Sequence, residues 1–212
     1  MPPQLPRKRP WYLVAALLAA LAFGVGGGRE GYSDLEFFRG DQPDITRLLA
    51  SINDDADRAN ISQAFDHWAV VMDAARARAL PLGIATLVIG IALMLFAMRA
   101  MAGRGPARSV LLQLIVVNMG LGLVSFALLS DTRAAWQGYY AAVTRASAHT
   151  VAMPDNAPDA ESIARFYVAV GKWVPGLMLV LQTLSSAAIV LALTRPRSRQ
   201  FFEAASDPAI EQ

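Results

Sequence analysis

The sequence predicts an all-α integral membrane protein with four transmembrane helices. Helices 2–4 are expected to extend into a small extracytoplasmic helical cap. Three observations carry this. Residues 10–28, 79–98, 109–130 and 173–194 form apolar stretches of 19, 20, 22 and 22 residues, none holding a charge. A helix rises about 1.5 Å per residue, so roughly 20 residues cross a hydrocarbon core of about 30 Å. Basic residues then collect at one set of ends: Arg7, Lys8 and Arg9 before the first stretch, Arg99, Arg104 and Arg108 between the second and third, and Arg195, Arg197 and Arg199 after the fourth. The segments at the opposite ends are acidic, with ten acids against six bases over residues 28–78 and four against three over 131–171. Because Lys and Arg in short loops stay cytoplasmic, both termini are expected inside and the acidic segments outside. Heavy use of Ala and Arg, with Lys8 and Lys172 the only lysines, points to a bacterial chain and so to the cell inner membrane. The net charge of +2 sums a basic inner face and an acidic outer one, so it is no signal for nucleic acid.

Residues 1–10 form a basic cytoplasmic terminus, and 11–28 the first transmembrane helix. Trp11 and Tyr12 stand where interfacial aromatic anchors belong. The same stretch, basic ahead and glycine-rich behind, also fits a cleaved secretory leader. A retained span keeps the count at four. Gly24 to Gly28 reads as a flexible exit from the membrane, with no lysine to meet a phosphate. Residues 29–78 are the first extracytoplasmic helical segment. Tyr32 to Arg39 shows neither helical nor strand pattern, and its Tyr32, Phe37 and Phe38 are candidates for partner contact. Ile45, Leu48, Leu49 and Ile52 share one helical face. Asn53-Asp54-Asp55 then offers a cap. Ile61, Phe65, Trp68 and Met72 continue at helical spacing. No breaker precedes Pro81, so one long helix is expected from about Asp54 to Met98, kinked by Pro81.

Residues 79–98 are the second transmembrane helix, 99–108 a cytoplasmic turn and 109–130 the third. Residues 131–172 form an extracytoplasmic helical hairpin. Trp136, Tyr140 and Val143 make a stripe that prolongs the third span. Met153 to Pro158 reads as a turn, and Asp159 as the cap of a helix with apolar face Ile163, Phe166, Tyr167 and Val170. That helix runs through Pro175 into the fourth span, 173–194, followed by a cytoplasmic tail, 195–212. Without cysteine there is no disulfide, and packing must hold the outer part.

Within the spans, Asn118, Gln182 and Gln113 are the interhelical polar candidates. A carboxamide facing lipid leaves its polar atoms unpaired, so Asn118 and Gln182 are expected to turn inward and bond across helices. Gly120, Gly122, Ser185 and Ser186 are the small residues that permit close packing beside them. Lining of a pore is the alternative role of the same carboxamides. Arg76 and Arg78 lie just above the outer boundary, set to bind lipid phosphates or to pair with Asp131, and Trp173 is an interface anchor at that level. Trp136 and Tyr139 join the partner-contact candidates.

His67 and His149 lie outside the spans with no known ligand spacing, and Asn53 to Asp57 lacks the glycine and distal glutamate of a calcium loop. No metal, cofactor or catalytic residue is therefore assigned. No ionisable residue lies inside a span, which argues against an ion-coupled carrier. The expected function is a non-enzymatic accessory or structural subunit of a larger membrane complex, with the lipid bilayer and other subunits, or further copies of itself, as partners. The alternatives are an extracytoplasmic sensor that signals through a partner, a small oligomeric channel, and a surface or lipid enzyme.

Overall fold

The computed structural model describes residues 9–39, 44–150 and 160–205. Every described element is helical: α1 (Trp11–Arg39), α2 (Thr46–Ser51), α3 (Asp55–Ala74), α4 (Arg76–Met101), α5 (Gly105–Leu128), α6 (Ser130–Thr150), α7 (Ala160–Thr194) and α8 (Pro196–Ala205). Four stretches, Trp11–Arg39, Arg76–Met101, Pro106–Leu128 and Val168–Thr194, are long and apolar enough to cross a membrane, which suggests a multi-pass membrane protein. The turn at Met153 to Pro158, the Asp159 cap, Arg7 and Lys8 lie outside the described residues.

The chain divides into two compact units. The first comprises Met1–Ser33, Leu82–Leu123 and Val180–Gln212. Its core holds Leu13, Leu17, Leu93, Leu111, Ile115 and Leu193, together with Phe202 of α8. Helices α1 and α4 meet here through backbone rather than side chains. A Cβ built at Gly24 would fall 2.7 Å from the Met94 nitrogen, and one at Gly31 would fall 2.5 Å from the Gly83 oxygen and the Leu87 nitrogen. A Cβ at Gly90 would strike the backbone of Gly24 and Gly28. The flexible exit expected at Gly24 to Gly28 is thus corrected: α1 runs through it unbroken. Glycine costs about 1 kcal/mol in a helix interior, and close backbone approach against α4 offsets that cost.

The second unit comprises Asp34–Pro81 and Val124–Leu179. In it α3 packs on α6, burying Ile52, Ile61 and Ala146 in one cluster and Phe65, Trp68 and Ala135 in another. The Asp54 side chain accepts from the Ala56 N–H at 2.7 Å and caps α3, and Asp55 and Asp57 place acids in its first turn. Asp44 accepts from the Thr46 N–H at 2.9 Å at the start of α2.

Three local expectations are corrected. Tyr32 to Arg39 is helical, because Phe37 packs on Trp68 and tertiary contact overrides a weak local pattern. The long helix expected from Asp54 to Met98 is two helices, broken at Ala75. Ala75 is buried and no local breaker marks it, so packing sets the joint. Pro81 sits inside α4 and leaves it continuous. The third span and its outward extension are likewise separate, with Leu129 between α5 and α6. Pro175 is accommodated within α7.

Candidate functional site

The second unit concentrates its aromatic side chains around Trp68. Its ring lies 5.2 Å from Phe37, 5.6 Å from Phe65, 5.0 Å from Trp136 and 6.1 Å from Tyr139, the last nearly parallel. The rings come from α1, α3 and α6, which explains why spacing along any one helix does not reveal them. Three partner-contact candidates, Phe37, Trp136 and Tyr139, are therefore engaged in packing within the chain. Burial pushes the Tyr139 phenol above its ordinary pKa. Trp136 keeps 45% of its surface exposed and Tyr32 51%, so both still present area outward. Phe38 is half-buried and lies beneath Arg76, whose guanidinium is 5.9 Å from the ring and donates to the Phe38 carbonyl at 3.4 Å.

Each of the two helix joints has a polar contact beside it. Arg78, three residues past Ala75, forms an ion pair with Asp131, two residues past Leu129. Slight desolvation opposes ionisation of Asp131, but the Thr132 N–H and the Arg78 charge outweigh it and hold the carboxyl below its usual range. Arg133 donates to the Phe126 carbonyl and stacks 3.9 Å from the Phe126 ring centroid. It thereby satisfies a carbonyl freed where α5 ends. Desolvation lowers the Arg133 pKa.

Beside the aromatic cluster, α6 and α7 leave a cleft of about 230 Å³, lined by Trp136, Gln137, Tyr140, Val168, Gly171, Val174 and Pro175. Gln137 Nε2 donates to the Gly171 carbonyl at 3.5 Å. The remaining walls are largely apolar. Along α7, Phe166, Val170, Trp173 and Leu177 are exposed at helical spacing, Trp173 by 81%. An apolar hollow flanked by such a stripe accommodates hydrocarbon or an apolar side chain, with one amide to fix orientation.

The polar candidates of the first unit do not assemble into one lining. Asn118 is buried, and Gln182 covers Gly122, whose added Cβ would lie 3.4 Å from the amide. Neither carboxamide is hydrogen-bonded to another described residue. Ser186 is buried with its hydroxyl unpaired. Gln113 and Ser185 are exposed, and Gly120 faces open space. The close helix contacts lie instead at Gly24, read from sequence as part of a flexible exit, and at Gly31 and Gly90, to which the sequence assigned no role. The signal was present: Gly24 and Gly28, and Gly27 and Gly31, are each four apart on one helix face.

His67 is exposed on α3, and no group of three or more metal-ligating side chains occurs among the described residues. Trp11, an expected interface anchor, is 80% exposed. Comparison with family models, curated proteins and solved structures yields no match, so function is argued from the chain's own residues.

Proposed function

We propose that this chain is a non-enzymatic, multi-pass protein of the cell inner membrane and an accessory or structural subunit of a larger membrane complex. Both termini are cytoplasmic, the acidic segments are periplasmic, and a partner's membrane helix docks an apolar side chain into the α6–α7 cleft. The cleft is the observation that carries the docking. It is apolar, open, and continuous along α7 with the exposed Phe166, Trp173 and Leu177. Buried aromatic anchors in such pockets dominate interface energetics.

Membrane insertion is supported by the outward faces of the first unit. Val14, Leu18 and Val25 of α1, Val88 and Leu95 of α4, Val116 and Leu123 of α5, and Leu184 and Leu191 of α7 are all between 38% and 65% exposed. In water such a surface would aggregate, whereas a hydrocarbon solvent accommodates it.

The test is purification of the tagged protein from its native host in a gentle detergent, with native mass and copurifying chains determined. A complex of fixed stoichiometry is expected. Val168→Arg, which places a charge in the cleft, should release the partner while the variant stays folded. A lone monomer or homo-oligomer from wild-type membranes would overturn the reading.

A further inference from the structure

The described part of the basic end of the first unit gathers arginines from four helix ends. Arg9 lies 5.4 Å from the Phe201 ring centroid and Arg195 lies 5.0 Å from that of Tyr12, so the start of α1 and the start of α8 meet. Arg108 Nε donates to the Leu193 carbonyl at 2.9 Å, which brings the start of α5 to the end of α7. Arg199 and Glu203 of α8 both lie within electrostatic range of the Arg108 guanidinium. Helix α8 is fixed in place rather than trailing. Its Ser198 hydroxyl donates to the Ala192 carbonyl at 2.7 Å, and Phe202 is buried in the core. Its first turn contains no acid but holds Arg197 and Arg199, where the helix dipole is also positive. Among the described residues, Arg9, Arg108, Arg195, Arg197 and Arg199 have no carboxylate within ion-pair distance.

Like charges held together by a docked helix cost stability unless an anion joins them. Arginine forks suit phosphate in particular, since two N–H groups reach two oxygens. The exposed Trp11 stands one turn or less from this cluster along the chain and is suited to the headgroup level of a bilayer. We propose that Arg108, Arg195 and Arg199, with Arg9 beside them, bind the phosphate of an anionic glycerophospholipid and that this lipid fastens α8 to the first unit. The proposal rests on insertion of the four spans, not on the identity or existence of a protein partner.

The test compares unfolding temperatures of the full chain in neutral detergent with added phosphatidylglycerol, phosphatidylcholine of the same acyl chains, or inorganic phosphate. Phosphatidylglycerol should raise the unfolding temperature where phosphatidylcholine does not. Each arginine near an anionic surface contributes about fivefold in affinity, so Arg108→Gln combined with Arg199→Gln should raise the phosphatidylglycerol concentration needed for a given shift roughly 25-fold. Equal shifts with both lipids, or an undiminished response in the double variant, would overturn the site. A full response to inorganic phosphate would overturn the lipid assignment. If the double variant does not fold, native mass spectrometry of the wild type from an equimolar mixture of the two lipids decides. Retention of phosphatidylglycerol at least about fivefold over phosphatidylcholine supports the site, and equal retention sinks it. A protein that fails to extract with membranes at all would instead refute the insertion on which the site depends.

Discussion

Trp68 shows how one side chain organises a unit. It is 9% exposed and touches four other rings, three of them on other helices. Truncation leaves a large void that rigid aromatic neighbours fill poorly. Trp68→Ala should therefore cost about 3–5 kcal/mol, read by denaturant unfolding in detergent, while Trp173→Ala at an 81% exposed position should change stability far less. Asp131 gives a pH signature. Its folded pKa is depressed below the ordinary value of 3.8, so its contribution to stability is present above that value and lost as pH falls through the lower folded one. Wild-type stability should decline as the medium is acidified below about pH 4, and Asp131→Asn should remove that component. An identical acid limb in the Asn variant would mean that the Arg78 pair does not set it.

At the scale of elements, helix α1 and its partner α4 separate what a linear pattern reveals from what it hides. The hydrophobic length of the spans, the Asp54 cap and the helical face of Ile61, Phe65 and Trp68 are local properties, and all were legible. The breaks at Ala75 and Leu129 were not, because neither position carries a helix-breaking residue. The tail was read only as cytoplasmic chain; its helix α8 depends on Phe202 reaching a core built from other helices. Gly24 to Gly28 were misread as a flexible exit for a different reason: the low helix propensity of glycine was read without the contact against α4 that compensates it. Gly90→Ala and Gly31→Ala should thus destabilise the protein by about 1–3 kcal/mol in thermal unfolding, since the obstructing atoms are backbone. Gly26→Ala, with open space around the new methyl, should be neutral or stabilising by up to about 1 kcal/mol. Equal effects at all three sites would show that α1 and α4 do not approach through their backbones. The ring cluster was the least legible feature, because it takes residues from helices far apart in sequence.

For the whole molecule, the decisive quantity is the sidedness of its charge. Three basic clusters fall at one set of span ends and two acidic segments at the other, so the assignment of cytoplasmic termini rests on the whole pattern rather than on any one loop. Absence of cysteine makes this directly measurable, since a single introduced thiol is the only one in the chain. Ala50, exposed on α2 within an acidic segment, and Ala204, exposed on α8 beyond the last basic cluster, are the suitable positions. In spheroplasts, Ala50→Cys should react with a membrane-impermeant maleimide without lysis, and Ala204→Cys only after it. The reversed pattern would place the acidic segments in the cytoplasm and move the basic arginine cluster to the outer leaflet. Labelling of both without lysis would require an even number of crossings between them, or a chain that does not insert. Because residues 79–98, 109–130 and 173–194 all separate the two probes, the expected outcome needs three crossings and tests the last three spans together. A third probe at exposed Arg104, as Arg104→Cys, splits that test: protection before lysis there requires the crossing at residues 79–98 by itself.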